Sequence, residues 1–109
     1  MFCYPEHIDE EMRKLFSHLR TSDFFRGQPR ESFVWSATQF VSELNAIHPF
    51  REGNGRTLRA FLEILAKKAG HVLDLQVIDP KVWNDASIDS FRRGTNDDME
   101  RVILDIVIP

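Results

Sequence analysis

The strongest constraint on the fold is a pair of apolar helical stripes that meet at a stretch unable to remain helical. Phe33, Ala37, Phe40, Val41, Leu44 and Ile47 recur at the spacing of one helix face. His48-Pro49 closes that stripe, because proline pushes the residue before it out of helical geometry. Residues 49–55, with Gly53 and Gly55 among them, read as a tight turn. A second helix opens near Arg56, with Leu58, Phe61, Leu62, Leu65, Ala66 and Ala69 on one face. Gly70 stands where a C-cap glycine belongs.

The rest of the chain is also helical in pattern. Ile8, Met12, Leu15, Phe16 and Leu19 form a stripe that starts beside Asp9, Glu10 and Glu11, where negative charge suits the helix dipole. Residues 21–28 break the pattern and read as a loop, and Pro29 suits the first turn of the helix that follows. Residues 71–79 form an irregular link. Pro80 and Trp83 open a short helix reaching Arg93, and Gly94 ends it. Thr95 is the expected N-cap of a last helix, with Asp97, Asp98 and Glu100 in its first turns and Met99, Val102, Ile103 and Ile106 buried. The tail, residues 106–108, fits either the end of that helix or a β-strand. No repeat, low-complexity segment or interdomain linker is visible. The expectation is an all-α bundle around a central helix–loop–helix, one domain over residues 1–109.

Composition narrows the function. With 42 % hydrophobic and 28 % charged residues in 109, the chain is of globular type. No apolar run approaches the ~20 residues that span a bilayer, and nothing resembles a signal peptide. The single cysteine, Cys3, forms no internal disulfide and suits a reducing compartment. Fourteen basic against 17 acidic residues give a net charge of −3, which argues against a nucleic-acid partner. The sign is uneven: between residues 48 and 68, Arg51, Arg56, Arg59, Lys67 and Lys68 outweigh Glu52 and Glu63 by +3, leaving −6 elsewhere.

That basic island contains His48-Pro-Phe-Arg-Glu-Gly-Asn-Gly-Arg-Thr-Leu-Arg59, whose residue types ask for a phosphate ligand. Gly53 and Gly55 let the backbone approach an anion, and they precede a helix N-terminus with unpaired donors and a positive dipole end. Arg56 and Arg59, three apart, reach over one face. Glu52 beside these groups makes sense as a holder of Mg2+, which takes one or two carboxylates plus substrate phosphates. His48, with an imidazole pKa near ~6.5, suits a general base for a hydroxyl attacking phosphorus.

The segment resembles the Fic-domain signature His-Pro-Phe-x-(Asp/Glu)-Gly-Asn-Gly-Arg-x-x-Arg and agrees at every fixed position. Similarity to bacterial Fic toxins extends to residues 42–47, 69–71 and 83–87. The resemblance implies a mainly helical Fic fold and transfer of AMP from ATP to a hydroxyl of a target protein (AMPylation). Carried over by position, His48 deprotonates the target Tyr, Ser or Thr. Glu52 binds Mg2+, Gly53, Asn54 and Gly55 form an anion hole, Arg56 holds the β-phosphate side and Arg59 the γ-phosphate. Death-on-curing relatives, which transfer the γ-phosphate, carry lysine at the place of Gly55, so Gly53 and Gly55 favour nucleotidyl transfer. Two departures accompany the match. The family's target-docking flap hairpin and an N-terminal helix precede the part aligned here, so the chain is expected to be the Fic core with most of the flap absent. The inhibitory pattern (Ser/Thr)-x-x-x-Glu does not occur, which points to a separate small antitoxin. The expected setting is the bacterial cytoplasm, or delivery into another cell as part of a larger effector.

Other readings stand beside this one. One is a nucleotide-binding fragment without useful transferase activity, motivated by the missing flap; another is a Fic-fold kinase or other nucleotidyltransferase. His48 and Glu52 as zinc ligands lack a third ligand nearby. Arg56 and Arg59 have a plainer reading as solvated residues or partners of Glu63. Phe24-Phe25 reads as core, Lys67-Lys68 as a solvated helix end, and Cys3, His7, His18 and His71 as surface or packing.

Overall fold

A computed structural model of the chain describes residues 7–47, 54–93 and 96–109. Among the described residues there are five α-helices: α1 (Ile8–Thr21), α2 (Arg30–Ile47), α3 (Asn54–Ala69), α4 (Pro80–Arg93) and α5 (Asp97–Ile106). Two single turns of 3-10 helix, Asp23–Phe25 and Leu75–Val77, complete the helical part. The fold is all-α, as the periodicities predict.

α2 is the central helix and touches each of the other four. Its predicted stripe is buried, and so are Val34, Thr38 and Asn45, since a helix with neighbours on several sides buries more than one stripe. Each fully buried Phe, Leu or Val contributes about 1.5–3 kcal/mol. Leu15 and Leu19 of α1, Leu58, Leu62 and Leu65 of α3, Trp83 of α4, and Met99, Ile103 and Ile106 of α5 complete the same core. Phe16 joins three helices: its ring centroid lies 5.6 Å from that of Phe40 on α2, edge to face, and 6.0 Å from that of Phe61 on α3.

The α1–α2 connection is more ordered than a loop expectation implies. Asp23, Phe24 and Phe25 all take positive φ, 53°, 56° and 61°, a left-handed turn that costs roughly 1–2 kcal/mol per non-glycine residue. Tertiary contacts hold it. Phe25 is buried in the core, and Lys68 Nζ sits 4.9 Å from the Phe24 ring centroid. Arg26 Nε donates to the Lys68 carbonyl at 3.0 Å, at the C-terminal end of α3. Lys68 is therefore more than a solvated helix end.

The helix boundaries mostly follow the predicted signals. Pro29 stands immediately before α2, and its carbonyl accepts the Phe33 N–H at 2.8 Å. Gly70 is the C-cap glycine of α3: at φ +90° it donates to the Lys67 carbonyl, and the His71 N–H reaches the Ala66 carbonyl at 2.8 Å. α3 starts at Asn54, two residues ahead of the expected Arg56. The predicted Thr95 cap is corrected: α5 begins at Asp97, and Asn96 takes the cap position with its carbonyl accepting the Glu100 N–H at 2.8 Å. Thr95 itself lies outside the described residues.

The tail combines both alternatives. α5 ends at Ile106, and Val107 then forms an isolated antiparallel bridge with Leu73, flanked by Asp74 N–H to Ile106 O at 2.7 Å and Ile108 N–H to Val72 O at 2.9 Å. Arg30 ties this end to α2 by donating to the carbonyls of Leu104 and Val107. His71 packs as expected, stacked on Phe33 at 4.5 Å between centroids. No helix among the described residues is long and apolar enough to cross a membrane.

Candidate functional site

The His48–Arg59 segment occupies the joint between the two helices that the stripes define. α2 ends at Ile47 and α3 begins at Asn54. His48, Glu52 and Gly53 lie outside the described residues. Asn54 and Gly55 are the first two residues of α3 by backbone, Arg56 is exposed and Arg59 is half-buried. Leu58 between them is 0 % exposed and roots this turn in the core. The arginines at i and i+3 share one side of the helix, while Leu58 fixes how the helix is turned.

The electrostatics of this helix start differ from those of most others. α1 opens with Asp9, Glu10 and Glu11, α2 with Glu31, and α5 with Asp97, Asp98 and Glu100. The first turn of α3 holds no acid and carries Arg56 instead. A helix N-terminus bears roughly +0.5 charge and up to four N–H groups without intrahelical partners. Among the described residues neither Arg56 nor Arg59 makes a hydrogen bond or ion pair, so Glu63 is not their partner. Two guanidiniums without an acidic partner among the described residues, at the positive end of a helix dipole, are the chemistry that suits an anion. Among the described residues no group of three or more His, Cys, Asp or Glu side chains is placed to hold a metal ion.

One buried polar residue beside the joint received no role from the sequence. Asn45, on the last turn of α2, is 1 % exposed, and its Nδ2 donates to the Ser87 carbonyl of α4 at 2.9 Å. Position 45 lies one turn beyond Val41 on the buried side of α2, and a lone amide there carries no local sign of a partner 42 residues away.

Comparison with known proteins agrees with this architecture. Residues 1–66 match the Fic/DOC family. A probable protein adenylyltransferase, y4lH of Sinorhizobium fredii, is 48 % identical over 91 residues, which is 83 % of this chain and 47 % of that protein. A protein adenylyltransferase of Bartonella henselae is 37 % identical over 99 % of this chain and 20 % of its own length. The crystal structure of the BepC effector of Bartonella tribocorum with bound AMPPNP superposes with a TM-score of 0.87 at 30 % identity, covering 99 % of this chain and 51 % of that one. The chain therefore spans less than half the length of these two curated relatives. The helical architecture, the motif at the α2–α3 joint and the match over residues 1–66 together place this chain in the Fic/DOC family.

Proposed function

We propose that this chain is the catalytic core of a protein adenylyltransferase, which transfers AMP from ATP to a Tyr, Ser or Thr hydroxyl of a target protein. The observation that carries the reading is the start of α3: an acid-free first turn whose Arg56 and Arg59 have no partner among the described residues, directly after His48-Pro-Phe-Arg-Glu-Gly-Asn-Gly. The relatives named adenylyltransferases and the AMPPNP bound by the BepC effector support ATP as the donor.

In the reaction the target hydroxyl oxygen bonds to the α-phosphorus, and the bond from that phosphorus to the β-phosphate bridging oxygen breaks. His48 takes the hydroxyl proton and pyrophosphate carries away the bond electrons. Gly53, Asn54 and Gly55 turn backbone N–H groups toward the phosphates, Arg56 holds the β-phosphate side and Arg59 the γ-phosphate. Such chemistry depends on positioning and charge neutralisation. Glu52 with phosphate oxygens is a donor set of the hard, all-oxygen kind that Mg2+ takes. When bound, Mg2+ neutralises charge developing on the phosphates. A separate antitoxin supplies control, and the setting is the bacterial cytoplasm or a host cell reached by a larger effector.

The test is incubation of the purified protein with ATP labelled on the α-phosphate, Mg2+ and a bacterial lysate. A labelled protein band is expected, with an added mass of about 329 Da; an unlabelled protein gaining about 80 Da would mark phosphoryl transfer instead, since the α-label then stays on ADP. His48→Ala should abolish labelling while ATP binding, measured by calorimetry, persists. Labelling at the wild-type rate in that variant would remove His48 from the role of base.

A further inference from the structure

We propose that Asn45 is a positioning residue for this transfer: its buried amide fastens the end of α2, and with it the start of the His48 turn, to α4. The inference rests on the adenylyltransferase reading above.

Three polar side chains are buried among the described residues, Thr38, Asn45 and Ser87, each 1 % exposed. Thr38 Oγ1 donates to the Val34 carbonyl at 2.7 Å and Ser87 Oγ to the Trp83 carbonyl at 3.0 Å. Among the described residues both hydroxyls bond within their own helix and not between helices. Asn45 differs, since its Nδ2 crosses to the Ser87 carbonyl, 42 residues along the chain. Burying an amide costs about 1–3 kcal/mol unless its hydrogen bonds are made. Leu44 next to it is fully buried at no such cost. A leucine at position 45 would serve the core equally well, so the amide contributes something that burial does not.

What it contributes is direction. Apolar contact is non-directional, and a helix packed only by apolar contact can rotate or slide slightly with little change in buried area. A hydrogen bond weakens steeply with distance and angle. The Asn45 bond therefore sets one height and one rotation of the last α2 turn against α4. His48 is three residues beyond Asn45 and follows directly on Ile47, the last residue of α2. A base must be held to within fractions of an ångström, and an error of about 1 Å costs on the order of 100-fold in rate. Arg56 and Arg59 stand on α3, beyond the turn, so a shift of the α2 end moves the base relative to the phosphates and leaves the ATP contacts in place.

The experiment compares wild type with Asn45→Leu, which keeps the branched shape, is bulkier and removes the donor, and with the smaller Asn45→Ser, which serves should the leucine variant fail to fold. Melting temperature, kcat and KM for ATP, and amide hydrogen exchange are measured, with His48→Ala as control. The expected result is kcat lowered about tenfold or more, ATP KM within about twofold of wild type, and faster exchange at residues 44–47 and 84–88. A folded variant with wild-type kcat, or a loss shared equally by kcat and KM, overturns the proposal. If the wild type labels no protein, the adenylyltransferase reading fails by itself; unchanged exchange at residues 44–47 in Asn45→Leu then overturns the fastening, and locally faster exchange at constant melting temperature sustains it.

Discussion

Neighbouring residues at the start of α3 divide binding from stability, and substitution separates the two. Arg56 is exposed and has no partner among the described residues, whereas Leu58 is 0 % exposed. Arg56→Ala removes no packed surface, so stability should stay within about 0.5 kcal/mol of wild type, while Mg2+–ATP affinity falls clearly in calorimetry. Leu58→Ala should cost about 2–5 kcal/mol by urea denaturation, as buried leucine truncations do. An Arg56→Ala variant that loses stability but retains affinity would show that this arginine is structural. The candidate site is legible as a motif, because glycine, arginine and histidine types at fixed offsets suggest one chemistry. Asn45 has no role legible in the sequence, because its bond partner is 42 residues away on α4 and a single amide inside an apolar stripe has no local signature.

At the scale of elements, local signals and long-range contacts contributed differently. Helix bodies follow from apolar periodicity, and the end of α3 follows from Gly70, which takes φ +90° with no atom near a prospective Cβ. Gly70→Ala should therefore cost about 1 kcal/mol from backbone conformation alone, seen as a drop of about 4–8 °C in melting temperature. No change in that temperature would mean that α3 can end without a left-handed residue. The left-handed turn at Asp23, Phe24 and Phe25 was not legible, since phenylalanine is disfavoured at positive φ. The contacts that hold the turn, Arg26 and the Phe24 ring against Lys68, join segments far apart in sequence. Arg30 on the carbonyls of Leu104 and Val107 is the same case at the end of α5. Caps made by distant arginines need the assembled fold before they can be read.

Over the whole molecule, the structure divides a charge feature that the sequence presents as one block. Residues 48–68 carry +3 in a chain of −3, and a single basic island suggests one cooperative field for phosphates. α3 separates its members: Arg56 and Arg59 stand at the N-terminal end, Lys67 and Lys68 in the last turn. At 1.5 Å per residue, the 11 residues from Arg56 to Lys67 span roughly 16 Å. The Debye length at physiological salt is only about 8 Å, so the lysines add little to the potential at the helix start. They also stand where cations suit the negative end of the dipole, and Lys68 lies over the Phe24 ring, so both have reasons to be there without a nucleotide. Accordingly Lys67→Ala and Lys68→Ala should leave Mg2+–ATP affinity within about twofold of wild type at 0.15 M salt. Lys68→Ala should still lower stability by about 0.5–1 kcal/mol through the lost ring contact. Binding titrations of the two variants beside Arg56→Ala decide the matter: a loss of affinity in the lysine variants as large as that in Arg56→Ala would mean that phosphates engage the whole length of α3, and the site would have to be redrawn along the helix.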